Sequence, residues 1–243
     1  MEDRRAAEVA DEIASGLGEN HVCTILYGHG LRKRAGEEGA SPFPLLVIVK
    51  NFDRYAVNTL SDIAARWRGK GLEGPYILED EDIKAMGDSI PEEVLEAIID
   101  YEVLKGKDVL KESLVLDREH LRAQCELALR RYIFTLRWGL IQIGKDERMM
   151  PLFMENLRFY TGMAAQLYLR LKGDATSGRS ISELIEALKG DMPSAAGLLD
   201  SLMEIDIQSS DVDTMVGVST EVIEKVLQQM LGSIDNMGKL FPG

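Results

Sequence analysis

Apolar and polar residues recur with two different periods along this chain, and the change of period divides it. Ala6, Val9, Ala10, Ile13 and Leu17 fall at three- and four-residue spacing, which predicts an amphipathic helix over residues 5–17 with Gly18 as its stop. Two short continuous apolar runs follow, Val22-Cys23-Thr24-Ile25-Leu26-Tyr27 and Leu45-Leu46-Val47-Ile48-Val49. Both read as buried strands, over 22–27 and 45–50. Helical spacing resumes over 54–68, with Tyr55, Leu60, Ile63, Ala64 and Trp67 expected on the inner face, and Gly69, Gly71 and Gly74-Pro75 end it. Tyr76-Ile77-Leu78 predicts a short strand. Glu79-Asp80-Glu81-Asp82 then opens a helix, because carboxylates favour the positive end of the helix dipole. Pro91 marks a further helix start, Glu92 to Ile99 supply that helix, and residues 100–106 return as a last short strand.

Helices alternating with strands predict an α/β or α+β domain over residues 1–112. Beyond it the strand signals vanish. Helical segments are expected at 117–143, 151–172, 180–190, 193–205 and 219–238, punctuated by Gly144, Gly173, Gly178, Gly190 and Pro193. Residues 113–243 therefore read as an all-α bundle, and the chain as α+β. The last helix carries Val222, Ile223, Val226, Leu227, Met230, Leu231 and Ile234, a broad face that must be buried in the bundle or across a homodimer. Most of the methionines fall in this half, where an unbranched thioether suits irregular cores and adaptable interfaces.

Charge narrows the partners. The net charge is −13, so nucleic acid and anionic lipid are repelled unless a local basic patch overrides the average. Arg32-Lys33-Arg34 is the one compact basic cluster, and three charges make a weak patch. Nucleic acid is accordingly an unexpected partner. No apolar run approaches the roughly 20 residues that span a bilayer. The N-terminal residues lack the apolar core of a signal peptide, and Cys23 and Cys125 both sit in apolar segments as expected buried free thiols. These features predict a cytoplasmic chain.

The chemistry-bearing stretch is 22–52. A strand, a glycine turn (Gly28-His29-Gly30), a basic connector and a second strand follow one another, the order in which many phosphate-handling folds build their site. Backbone N–H groups of such a turn can cradle a phosphate with help from Arg32 or Lys33, and the alternative is a plain turn beside a solvated basic loop. A second candidate lies on the long helix. Arg122, Glu126, Arg130 and Arg137 fall within about 80° of one another at ~100° per residue. Beside them Leu121, Cys125, Leu129, Tyr132, Leu136 and Leu140 form an apolar stripe. An ion-paired helix edge is expected, and the sharper possibility is that Arg122 and Arg130 meet an anionic ligand or a partner chain.

Leu26-Tyr27-Gly28-His29-Gly30 followed by Pro42-Phe43-Pro44-Leu45-Leu46-Val47-Ile48-Val49 resembles the nucleotidyltransferase superfamily, the fold of DNA polymerase beta and the aminoglycoside nucleotidyltransferases. The segments 101–110 and 121–137 are similar to the junction between such a domain and its helical partner. The resemblance implies a nucleotidyltransferase-like N-terminal domain with a small mixed sheet, and a helical domain that dimerises or binds an acceptor. In that family a strand ends in Gly-Ser and the next opens with Asp-x-Asp, whose carboxylates share one strand face and hold two Mg²⁺ ions. Here the acid positions are Pro42 and Pro44, and the Ser position is His29.

Proline offers no side-chain oxygen to Mg²⁺, so no catalytic residue, metal ligand or cofactor is assigned. The expected function is non-catalytic: a nucleotide- or partner-binding, regulatory protein that keeps the frame of the fold, with Gly28, His29, Gly30, Arg32, Lys33, Arg122 and Arg130 as its candidate ligand contacts. Two alternatives stand beside it. One is an active transferase whose acids come from elsewhere, such as Asp80 and Asp82. The other is a structural interaction protein without a small ligand. Glu37 and Glu38 read as solvated loop charge, and Asp211-Val212-Asp213 as a loop between helices.

Overall fold

The computed structural model describes residues 4–28, 43–86, 92–113, 118–144, 146–174, 176 and 179–239. They fall into two compact units, Met1–Asp117 and Arg118–Gly243.

In the first unit, β1 (His21–Tyr27), β2 (Leu45–Val49), β3 (Tyr76–Glu79) and β4 (Tyr101–Gly106) form a four-stranded mixed sheet in the order β3-β2-β1-β4. β1 runs antiparallel to both β2 and β4, and β2 runs parallel to β3. All five β2 residues are buried because both faces of the sheet are covered. On one face α1 (Arg4–Leu17) and α2 (Arg54–Trp67) bury Val9, Ile13, Leu17, Leu60 and Ile63 against Leu26, Leu45, Val47 and Val49. On the other face Cys23, Ile25, Tyr27, Leu46 and Ile48 meet Ile83, Ala97, Val109 and Leu110. These four belong to α3 (Asp80–Ala85), α4 (Glu92–Ile99) and α5 (Val109–Ser113).

The helix starts follow from local chemistry. Asp53 caps α2 by accepting from Ala56 N at 2.8 Å. Asp82 reaches back to Glu79 N at 3.0 Å and closes a capping box at α3. One expected inward residue is misplaced by a single position. Tyr55 is 60% exposed, with its hydroxyl donating to Gly16 O, and Ala56 takes the buried place. At Gly16 α1 and α2 approach so closely that an added Cβ would lie 2.8 Å from Thr59 Cγ2.

The second unit is helical among its described residues: α6 (Arg118–Ile143), α7 (Met150–Lys172), α8 (Ile181–Asp191), α9 (Ala196–Glu204), α10 (Val212–Glu221) and α11 (Gln228–Lys239), with a π-helical segment Val222–Leu227 joining the last two. α7 is the centre. From Thr161 to Leu169 every residue is buried, and Gly162 lets Ile181 of α8 approach to where a Cβ would be 2.5 Å from its Cδ1. Arg158 of α7 donates to the carbonyls of Leu202, Met203 and Ile205 at 2.9, 3.3 and 2.7 Å, and so satisfies the C-terminal end of α9.

The C-terminal helical run begins earlier than the expected residue 219. Asp211 accepts from Thr214 N at 2.9 Å and starts α10 at Val212, so Asp211 and Asp213 form a helix start and not the expected loop. The broad apolar face expected there is buried inside this unit: Val222, Ile223, Val226, Leu227, Met230 and Ile234 are each at most 1% exposed.

Two stability outcomes follow. Gly106 has φ +91° and ends β4 with its Cα so near β1 that an added Cβ would lie 2.1 Å from Val22 O. Gly106→Ala is expected to cost about 3 kcal/mol through left-handed strain and overpacking together, read from the urea midpoint. Arg158→Ala removes three charge-assisted bonds from α9 and is expected to cost about 2 kcal/mol in the same measurement.

Candidate functional site

The strand directions bring several chain segments to one end of the sheet. β1 finishes there at Tyr27, β2 begins there with Leu45 opposite Leu26, β3 begins with Tyr76 opposite Leu46, and β4 begins with Tyr101 opposite Tyr27. Gly28 follows β1 with φ +54°, a left-handed turn that a glycine adopts without strain. Its N–H donates to Asp100 O at 3.0 Å, which extends the β1–β4 ladder by one residue. That donor is therefore committed to the sheet. The contribution of Gly28 to any phosphate cradle is the turn it makes rather than its own N–H.

Three further residues define this end. Phe43 donates from its N to Gly71 O at 2.9 Å, which fixes the entry to β2. Pro44, the second of the two positions where the family carries an acid, is buried directly before β2. By strand alternation it falls on the face of Leu46 and Ile48. Asp100 is 1% exposed and lies beside the glycine turn. Neighbouring Tyr101 donates its hydroxyl to Asp108 at 3.0 Å, and burial together with this bond pushes its pKa up to about 12. Asp108 also accepts from Lys111 N at the start of α5, so this Tyr–Asp pair is a structural clamp.

The expected ligand contacts distribute as follows. Gly28 lies at the sheet end just described. His29, Gly30, Arg32, Lys33, Arg34, Glu37, Glu38, Pro42 and Pro91 lie outside the described residues. Arg122 and Arg130 lie on α6 in the second unit and carry carboxylates already. Arg122 pairs with Glu119 and Glu126 at 2.7 and 3.0 Å, and Arg130 with Glu126 and Asp235 at 2.7 and 3.4 Å. They form the expected ion-paired helix edge. The expected apolar stripe beside it keeps Cys125, Leu129, Tyr132 and Leu136 buried, while Leu121 and Leu140 are only partly covered. Arg137 binds Glu224 through two bonds of 2.7 and 2.8 Å.

Asp80 and Asp82, the substitute carboxylates considered for metal binding, stand at the opposite end of the sheet from Gly28, just beyond Glu79. Asp82 is taken up by its capping box and Asp80 by Lys84 at 2.9 Å. Asp100 is the carboxylate that sequence reasoning passed over. Nothing in the string Ile99-Asp100-Tyr101 distinguishes a buried acid from an exposed turn residue. The sequence pattern placed it only as the first residue of the last short strand, with nothing to tie that strand to Gly28. Among the described residues no three His, Cys, Asp or Glu side chains converge as a metal site requires. Among the described residues, the position that the resemblance matches to the second strand acid is the buried Pro44, whose side chain offers no oxygen to Mg²⁺.

Cys23 and Cys125 are both buried and unpaired in disulfides, and burial pushes both thiols up to about 12. Neither is poised as a nucleophile. Among the described residues no helix is long and apolar enough to cross a membrane.

A mixed sheet capped by a glycine turn at the point where β1 hands over to β2, followed by a helical unit, defines a nucleotidyltransferase-like α+β fold. The comparison with solved structures agrees. The chain is similar to spectinomycin adenyltransferase AAD(9) from Enterococcus faecialis, seen in a crystal structure with ATP and spectinomycin. The TM-score is 0.52 at 13% identity, and the match covers 91% of this chain and 99% of that one. No family model matches the chain, and no curated protein matches it in sequence.

The network on α6 gives a pH-dependent outcome. Burial alone would raise the pKa of Glu126, but hydrogen bonds from Arg130 and Arg122 carry it below the ordinary 4.5. Its folded-state pKa lies under its unfolded one, so the stabilisation is present above about pH 4.5 and is lost as pH falls through the folded-state value. Glu126→Gln is expected to lower the urea midpoint at pH 7, and the gap to the parent protein should close on acidification below pH 4.5.

Proposed function

We propose that this protein is a non-catalytic member of its fold class: a cytoplasmic nucleotide-binding protein that uses the glycine turn and the basic connector as a phosphate platform and pairs with a second copy through its helical unit. The observation that carries the proposal is Pro44. The strand pairing and the left-handed turn of the phosphate-handling frame are kept, and a buried pyrrolidine stands at the strand start where a metal-holding carboxylate is needed. ATP is the ligand of choice for a first test, because the structural neighbour was solved with it. His29, Gly30, Arg32 and Lys33 are assigned the phosphate contacts. Arg122 and Arg130 would each have to exchange Glu126 for the ligand, so their share of the binding is small. No cofactor is required by this reading, and nucleic acid is disfavoured by the net charge of −13.

A second reading has one observation in its favour. Asp100 is a buried carboxylate at the correct end of the sheet, and an active transferase that replaced its strand acids would draw on it. A purely structural protein, the third possibility, would bind no nucleotide.

Calorimetric titration of ATP, with and without Mg²⁺, separates the three. The proposal expects saturable binding that weakens at least about tenfold in the Arg32→Ala, Lys33→Ala double variant, the loss of roughly 1.4 kcal/mol of charge-assisted contact. It also expects Asp100→Asn to leave the Mg²⁺ dependence of that affinity unchanged. Binding that collapses without Mg²⁺ and loses this dependence in Asp100→Asn supports the active reading. Absence of heat, together with no rise in Tm at millimolar ATP, supports the structural one.

A further inference from the structure

α6 carries apolar residues on two opposite sides. The inward side holds Cys125, Ala128, Leu129, Tyr132, Ile133 and Leu136, all buried in the helical unit. The outward side holds Leu127, Phe134, Trp138 and Ile141, which are 62, 71, 58 and 76% exposed. At ~100° per residue these four fall within about 60° of one another. Met149 and Leu152, 42% and 50% exposed, follow just past the end of the helix. The two mostly exposed aromatic rings and two aliphatic side chains on α6 offer on the order of 500 Å² of apolar surface. A typical monomer's largest patch is about 300–600 Å² and is often functional, and this stripe is of that size.

We propose that the outward stripe of α6 is a self-interface, in which α6 packs antiparallel against α6 of a second copy about a two-fold axis near Phe134. The proposal rests on the homodimer reading above and names its surface. Three observations favour a second copy of this chain over another occupant. The first is the spacing of the stripe, which is self-complementary. Leu127 and Ile141 stand seven residues to either side of Phe134, and Arg130 and Trp138 stand four residues to either side. An antiparallel two-fold contact therefore sets Leu127 against Ile141 of the other copy and Phe134 against itself. It also sets Trp138 over the other copy's Arg130, where a guanidinium meets the face of an indole.

The second observation is area. Covering the stripe on both copies removes about 1,000 Å², the threshold size of a specific interface. The third is charge. Arg130 and Arg137 flank the same edge of the stripe and are compensated by Glu126 and Asp235 and by Glu224, each within its own chain. A second copy can approach along that edge without burying an unpaired charge there. An acidic peptide or an anionic membrane would find these arginines already occupied.

Sedimentation velocity on the full chain from about 1 to 100 µM tests the interface in the range where a micromolar dimer dissociates. The parent protein is expected to dimerise, and more tightly at higher salt, because two chains of net charge −13 repel at low ionic strength. Phe134→Glu and Trp138→Glu are each expected to weaken the dimer at least about 100-fold while the helical circular dichroism is retained. Phe134→Cys should give a covalent dimer on mild oxidation, since it places one new exposed thiol on the axis while Cys23 and Cys125 stay buried. A dimer that survives both glutamate variants and gives no crosslink overturns this surface and leaves pairing through another face. A parent protein that stays monomeric overturns both the surface and the homodimer reading. That holds whether the monomer binds vesicles of anionic lipid through the stripe or loses Tm on its substitution because the stripe is covered within its own chain.

Discussion

The N-terminal unit depends on β1 being held on both edges at once. Its antiparallel pairing with β2 fixes where the chain must return after the basic connector, and its pairing with β4 fixes where Asp100 and Tyr101 stand. The bond from Gly28 N to Asp100 O is the last rung of the second ladder, and it ties the glycine turn to the rigid sheet. Burial on both faces makes the register costly to shift, because sliding β2 by one residue would exchange Leu45, Val47 and Val49 with Leu46 and Ile48 between two different cores. At this end Gly28 and Asp100 are therefore held by sheet pairing.

The same rigidity explains why Pro44 carries weight. A proline at a strand start keeps the extended backbone and forgoes one N–H, which the first residue of a strand can spare. It therefore fits the frame, and in the proposed reading it stands where a Mg²⁺-holding oxygen would be. Among the described residues the sheet is held by apolar burial and backbone bonds.

Much of this was legible in the pattern of residues, and the failures have physical causes. The strands at 22–27 and 45–50 declared themselves as apolar runs because a doubly covered strand has no polar face to alternate. α1 was legible residue by residue, since Ala6, Val9, Ala10, Ile13 and Leu17 are all buried. Tyr55 misled because ring size suggested burial, while Ala56 takes the buried place. The start of α10 was hidden by Asp213 and Gly217, poor helix formers that its tertiary packing overrides. Asp100 could not be found from local sequence, because its burial is produced by partners distant in the chain.

On α6 the arginines that looked like ligand contacts are matched by carboxylates, and a second set of apolar residues lies on the face opposite the expected stripe. Ion pairs at i, i+4 are visible in sequence, but Asp235 and Glu224 come from the far end of the chain. The outward stripe escaped notice for a related reason: apolar residues on both sides of a helix read as one diffuse pattern until burial separates them.

The central claim is that a nucleotidyltransferase-like frame persists here without the carboxylates that drive transfer. It is tested most directly by incubating the full chain with ATP labelled at the α-phosphate, Mg²⁺ or Mn²⁺, and a panel of hydroxyl acceptors. The account predicts no labelled product above the protein-free background. Multiple turnovers that require the divalent ion and vanish in Asp100→Asn would contradict it.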